Sequence, residues 1–267
     1  SPLVTRAAAR AMDQSDLVPT ETVTVVLSDK GWVRAAKGHD MDPGSLSYKA
    51  GDRFLAAARG RSNQAAVFLD STGRCYNLAA HTLPSARGQG EPLSGRLSPP
   101  EGAHFAGVLM AEDDAYCVLA SNAGYGFITQ IKELYAKNKA GKAVLSPPAG
   151  SEALPPAVLG DAERGYVAMA TSEGRLLLVA AAELPRLARG KGVKIINIPS
   201  AAFAAGDERV VAMAALRPGD QLLIQAGQRK MTLKKDDLAH YLGERGRRGM
   251  KLPRGYQKVD AMETAAG

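Results

Sequence analysis

The sequence predicts an all-β, propeller-like array of about five blades, and three observations predict it. One hairpin-like unit recurs five times along the 267 residues, and its turn glycines return about every 50 residues. Each unit is followed by a connection that carries a leucine and then a basic, glycine-bearing segment. The apolar content, 45%, is enough for one continuous core shared by all the units.

The five copies are VTVVLSDKGWVRAA from Val23, AVFLDSTGRCYNLA from Ala66, YCVLASNAGYGFIT from Tyr116, YVAMATSEGRLLLV from Tyr166 and QLLIQAGQRKMTLK from Gln221. In each, apolar strand formers enter and leave a short polar turn. Gly31, Gly73, Gly124 and Gly174 occupy the turns, with Gly227 slightly displaced. Ser71, Ser121 and Ser172 recur beside them, where hydroxyls bond the local backbone. A single hairpin cannot bury its apolar face alone. Five side by side can, which makes residues 22–260 one circular or spiral array. Residues 1–21 are Ala-rich and carry no repeat, as expected of a short helix and linker, and residues 261–267 are expected to fray.

After each hairpin a short helical or turn-like segment precedes the basic connection. Leu83, Leu134, Leu184 and Leu238 stand at matching places just before the charges and are expected to anchor each connection to its blade. The first copy departs, with the longer connection AKGHDMDPGSLSYKAGDRFLAAARGRSN. Trp32 and Tyr125 flank hairpin turns and read as blade packing rather than as stacking platforms.

The chain carries 34 Lys and Arg against 27 Asp and Glu, a net +7, which favours an anionic partner. Residues 228–258 hold ten bases and three acids, a net +7 equal to that of the whole chain, so elsewhere the basic loops are local features. The segment RLARGKGVKIINIP resembles a phosphate loop only in composition. A nucleotide loop would open a helix, whereas Gly190-Lys191-Gly192 leads into the β-like run VKIINI. What distinguishes it is recurrence at one register. In a ring, equivalent places lie along one rim, so the loops would make a curved positive track suited to duplex phosphates. A solvated connection accounts for any one loop as well, but less readily for four in register.

The candidate contacts are Arg34, Lys37, Arg59 and Arg61 in the first copy, Arg87 in the second, and Lys137, Lys139 and Lys142 in the third. The fourth supplies Arg189, Lys191 and Lys194, and the last supplies Arg245, Arg247, Arg248 and Lys251. Catalytic and metal chemistry find no matching pattern. His39, His81, His104 and His240 fit no metal-ligand spacing, and Cys75 and Cys117 form no CxxC pair. No nucleophile, base and oxyanion set stands out. The cysteines read as core residues of a protein in a reducing cytoplasm, and no apolar run approaches the roughly 18 to 20 residues of a membrane span.

The segments VTVVLSDKGWVRAAKGHD, FLDSTGRCYNL, TLPSARGQGEPLSG, ASNAGYGF, RGKGVKIINIPS and GERGRRG, in that order, resemble the C-terminal domains of the A subunits of bacterial type IIA topoisomerases, topoisomerase IV more than gyrase. The gyrase box QRRGGKG is absent, and the corresponding region reads KGHDMDPGSLSYKAG. The resemblance implies a β-pinwheel of five blades, in a closed or open ring, whose blades exchange strands and whose basic rim binds and bends duplex DNA without sequence preference. It also implies that the opening residues are the tail of a catalytic core. The DNA segment would be presented to that core for decatenation and relaxation of supercoils. Cleavage by the active-site tyrosine, ATP and Mg2+ would belong to the rest of the enzyme, with no cofactor in this stretch. The implied partners are double-stranded DNA, the rest of the topoisomerase IV A subunit, and through it the B subunit, at the bacterial nucleoid. The rival from another class is a propeller-type scaffold that binds an acidic protein.

Overall fold

Runs such as AVFLD and YCVLA leave no polar side for solvent, and in the computed structural model, which describes residues 20–267, both of their faces are buried. Ala66 and Phe68 pack into one core cluster while Val67 and Leu69 between them pack into the next. Cys117 and Leu119 divide from Val118 and Ala120 in the same way, as do Val167 and Met169 from Ala168 and Ala170. The period-two alternation of a strand therefore shares each inner hairpin between two neighbours. Four clusters result, one at each junction between successive blades.

Blade one is built from β1 (Thr22–Ser28), β2 (Trp32–Lys37) and β3 (Phe54–Arg61). The second unit supplies β4 (Ala65–Asp70), β5 (Arg74–Ala79), β6 (Glu91–Pro92) and β7 (Phe105–Leu109). The third supplies β8 (Tyr116–Ala120), β9 (Tyr125–Gln130), β10 (Lys142–Ala143) and β11 (Ala157–Leu159). The fourth supplies β12 (Tyr166–Thr171), β13 (Arg175–Ala180), β14 (Val193–Lys194) and β15 (Val210–Leu216). The last supplies β16 (Gln221–Ala226), β17 (Arg229–Leu233), β18 (Met250–Lys251) and β19 (Ala261–Ala265).

These strands form sheets in the orders β3-β1-β2-β6, β10-β5-β4-β7, β11-β8-β9-β14, β15-β12-β13-β18 and β17-β16-β19. The short strand after each hairpin therefore leaves its own unit and completes the preceding blade. β6 pairs with β2, β10 with β5, β14 with β9 and β18 with β13. These exchanged strands form the outer edge. At the inner edge β3 packs on β7, and β11 and β19 pack on β15. The all-β, five-bladed arrangement is thus as the repeats predict, its strand exchange is as the resemblance implies, and Gly31, Gly73, Gly124, Gly174 and Gly227 all have positive φ.

The two end blades lack a neighbour on one face and solve the problem differently. On blade one the long connection folds back over the free face, where Tyr48 and Arg34 cover the buried Val26. This accounts for the departure of the first copy. On blade five the free face is mostly polar instead: Gln225, Lys230, Thr232 and Glu263 share it with the half-buried Leu223, while Leu222 and Ile224 are buried on the other face of β16. Among the described residues no strand is donated to β17, whose Lys230 stands where the other hairpins have Val33, Cys75, Gly126 and Leu176 against an exchanged strand. No core cluster among the described residues joins blades five and one, which leaves the ring's core open there.

The expectation that residues 261–267 fray is corrected. β19 pairs with β16 from Gln221 opposite Ala265 to Gln225 opposite Ala261, because the last blade has only this strand to satisfy that edge. The expected core tail and linker over 1–21 lies, but for residues 20 and 21, outside the described residues. Among those described, no helix is long and apolar enough to cross a membrane.

Candidate nucleic-acid interface

The anchoring leucines lead into the site. Leu83, Leu134, Leu184 and Leu238 are all buried. Three follow or end a 3-10 turn (Ala80–Thr82, Ile131–Leu134 and Ala181–Glu183), and the fourth lies in a one-turn helix, Lys235–Ala239. From each leucine the chain runs outward along the edge of the preceding blade. There it bonds the second hairpin strand: Ala35 N–H donates to Pro84, Ile128 N–H to Pro185 and Leu178 N–H to Tyr241.

The crossover itself turns on a glycine. Gly90, Gly141, Gly192 and Gly249 immediately precede the four exchanged strands, and each has φ between +76° and +86°. A Cβ at Gly192 would land on the carbonyl of Gly126, and one at Gly90 on that of Val33. The recurring glycines of the basic loops are thus demanded by the strand exchange, a reason that composition alone does not reveal.

Successive connections are stitched to one another. Ser98 N–H donates to the Lys139 carbonyl at 2.8 Å, and Ser146 N–H to that of Gly190 at 2.9 Å. Asn197 N–H donates to the Arg247 carbonyl at 2.9 Å, and Gly246 N–H to that of Ile195 at 2.7 Å. The second, third, fourth and fifth connections therefore follow one another along a single outer edge. Arg87, Lys137, Lys139, Arg189, Lys191, Arg245, Arg247 and Lys251 are exposed there, and Lys142 and Lys194 are half-buried. Several are already held in place: Lys142 Nζ donates to the Glu133 carbonyl, Lys251 Nζ to that of Glu173, and Arg245 to that of Lys194. Arg247 pairs with Glu244 at 3.2 Å, and Glu91 introduces an acid at the first crossover, paired with Arg96 at 3.4 Å.

Several of the expected contacts are placed differently. Arg34 is only 4% exposed, its guanidinium donates to the carbonyls of Gly88 and Ser47, and it lies over the Tyr48 ring. It holds the first crossover down and is not on the surface. Arg59 and Arg61 belong to β3, at the inner edge, where they line the central cavity with Arg217 and Glu112. Arg248 donates to both oxygens of the buried Glu208 carboxylate and to the Asn197 carbonyl. Lys37 is exposed at the far end of β2 from the first crossover.

Two arginines outside the expected set do belong to this edge. Arg74 donates to the carbonyls of Ala140 and Gly141, and Arg175 to that of Gly249, so each clamps a crossover glycine segment. Their signal was the Gly-Arg step after the hairpin turn. At the same strand position Trp32 and Tyr125 are half-buried at the edge rather than packed inside a blade. Lys49 lies 3.7 Å from the Trp32 ring centre, and Lys191 and Lys194 lie 4.7 and 5.9 Å from that of Tyr125.

Among the described residues no group of three or more His, Cys, Asp and Glu side chains could hold a metal ion. Burial pushes the Cys75 thiol up to about 12 and the Cys117 thiol upward as well, so both are core residues and poor nucleophiles.

A family model described as the DNA gyrase C-terminal domain, beta-propeller, matches residues 115–145 and 165–217. The A subunit of DNA topoisomerase 4 from Pseudomonas aeruginosa is 60% identical over 262 residues, 98% of this chain and 35% of that protein. The Escherichia coli K12 protein of the same name is 49% identical over 263 residues, again 98% of this chain and 35% of its relative. The chain thus spans about a third of the length of these relatives. The solved E. coli ParC C-terminal domain superposes with a TM-score of 0.76 at 48% identity, covering 92% of this chain and all of that one. A DNA gyrase A C-terminal domain has a TM-score of 0.69 at 15% identity, covering 92% and 83%, and shares the fold. With its exchanged strands, five blades and these relatives, the chain belongs to the family of C-terminal domains of topoisomerase IV A subunits.

Proposed function

We propose that this domain binds duplex DNA without sequence preference and bends it along its outer edge. The DNA segment would then be presented to the catalytic core of the A subunit, and through it to the B subunit, for decatenation and relaxation of supercoils at the bacterial nucleoid. ATP, Mg2+ and the cleaving tyrosine would act in the rest of the enzyme. The observation that carries this reading is the hydrogen-bonded succession of basic connections from Ser98 to Arg247, which supports a continuous curved path rather than scattered patches.

Lysine and arginine displace condensed counterions from phosphates, so affinity falls with salt at a log-log slope near −0.9 per phosphate contact. The charge does not read bases. Bending a short duplex costs on the order of 1 to 6 kcal/mol, which contacts along several blades would offset. The test is a set of binding isotherms at several salt concentrations with duplexes of increasing length. Affinity is expected to rise with length until the duplex follows several blades, and Arg189→Glu with Lys191→Glu should lower both affinity and slope. Weak binding that ignores length and both substitutions would instead favour an acidic protein as the partner of this edge.

A further inference from the structure

We propose that Tyr125 is a positioning residue, a shelf that holds the Lys191 and Lys194 amines toward the duplex and makes the edge of blade three the tightest DNA-holding station. The proposal rests on the DNA-binding reading above.

The four blades that receive an exchanged strand can be compared at one register. The first residue of the second hairpin strand is Trp32, Arg74, Tyr125 and Arg175 in turn, and its partners across the exchanged strand are Pro92, Ala143, Lys194 and Lys251. On blades two and four this residue is an arginine that donates to the crossover carbonyls, and the nearby amines of Lys142 and Lys251 also donate to backbone carbonyls. Those cations are partly satisfied within the protein. Blade one also sets a lysine on a ring, with the Lys49 amine 3.7 Å from the centre of Trp32, but that lysine comes from the blade's own long connection, and the exchanged strand there offers only Glu91 and Pro92.

Blade three differs. Tyr125 presents a ring where the arginines stand, with the Lys191 amine 4.7 Å and the Lys194 amine 5.9 Å from its centre. Lys194 is fixed further by donation to Asn197 Oδ1 at 3.1 Å, and its carbonyl accepts from Arg245, which brings a third cation to the same place. Among the described residues Lys191 has no carboxylate or carbonyl partner. An aromatic face attracts an ammonium without consuming a directed N–H, so the amine is held near one position while its donors stay available for a phosphate. Lysine otherwise loses considerable rotamer freedom on binding, and a shelf that restricts it beforehand reduces that loss.

The test uses this 267-residue chain and a random-sequence duplex. Tyr125→Leu should weaken binding about three- to tenfold with an unchanged salt slope, since no charge is lost, while Tyr125→Phe should keep wild-type affinity. Thermal melts identify a Leu variant that is poorly folded, in which case Tyr125→Gln takes its place. In a Lys191→Met, Lys194→Met background the Tyr125 substitution should have no further effect. That lysine pair should also lose more affinity than Lys142→Met with Lys251→Met, although each removes two charges. Equal affinity of folded Tyr125→Leu and wild type, a Phe variant as weak as Leu, a persisting Tyr125 effect without the lysines, or equal losses from the two lysine pairs would overturn the proposal. Failure of the wild-type chain itself to bind duplex would instead remove the reading beneath it.

Discussion

The guanidinium of Arg248 grips the Glu208 carboxylate with two donated hydrogen bonds, at 2.8 and 3.1 Å, and ties the last basic connection to the segment that enters β15. Glu208 is only 3% exposed, so removing Arg248 strands a desolvated carboxylate. Arg248 itself remains about a third exposed, which moderates the loss. Arg248→Ala should therefore destabilise the domain by about 2 to 4 kcal/mol. Its neighbour Arg247 pairs with Glu244 across two well-exposed side chains, and Arg247→Ala should leave chemical denaturation nearly unchanged. Duplex affinity of the folded variants should respond in the opposite order, falling more for Arg247→Ala.

A comparison of inner and outer edges tests whether position or mere charge governs DNA binding. Arg59→Glu with Arg61→Glu reverses two charges beside the central cavity, and Arg189→Glu with Lys191→Glu reverses two on the crossover edge. Both pairs change net charge equally. The outer pair should reduce the magnitude of the salt slope by up to about two, and the inner pair should leave it near the wild-type value. Equal slopes in the two variants would show that long-range charge, not a track, attracts the duplex.

The hairpins were legible because their signal is local: an apolar run, a turn glycine and a second apolar run lie within about 14 residues of one another. The anchoring role of Leu83, Leu134, Leu184 and Leu238 was legible for a related reason, since their register repeats with the hairpins. The destination of the two-residue strands such as Val193–Lys194 was not, because so short a segment carries no periodicity and its partner, Tyr125 and Gly126, belongs to the preceding unit. The misplaced arginines fail for another reason. Arg34 looks like any surface base in GWVRAAK, and only the folded connection brings the carbonyls of Ser47 and Gly88 to its guanidinium. The residues of β19 read as a loose end because AMETA holds a single strand former, Thr264, and pairing with β16 overrides that weak propensity.

The strand exchange makes the crossover glycines the most sensitive positions of the rim. Gly192→Ala places a methyl group against the Gly126 backbone at φ +82°, so neither the left-handed conformation nor the clash can relax without unpairing β14. Destabilisation of about 3 kcal/mol or more is expected, with loss of duplex binding as the edge of blade three loosens. Gly95→Ala is the control, because that glycine has ordinary φ and nothing within 4 Å of the added carbon. It should be neutral or slightly stabilising in a thermal melt.

The two thiols give the fold a dependence on alkaline pH whose sign follows from their burial. In the unfolded chain a cysteine titrates near 8.5. In the fold, burial and then the Asp70 charge push Cys75 up to about 12, and burial raises Cys117 as well. A raised native pKa means that the stabilisation is complete below about pH 8.5 and is lost as pH climbs toward the native value, because the unfolded chain releases protons that the native core retains. Each thiol should then lower stability by roughly 1 kcal/mol per pH unit once pH is well above 8.5. Urea denaturation at pH 7.5, 9 and 10 should show this decline, and Cys75→Ala with Cys117→Ala should flatten it, whatever the cavities cost at neutral pH. Labelling by a thiol reagent at pH 9 should be slow in the native protein and fast in urea. Equal labelling rates would mean that the junction between blades two and three, where both cysteines pack, opens freely.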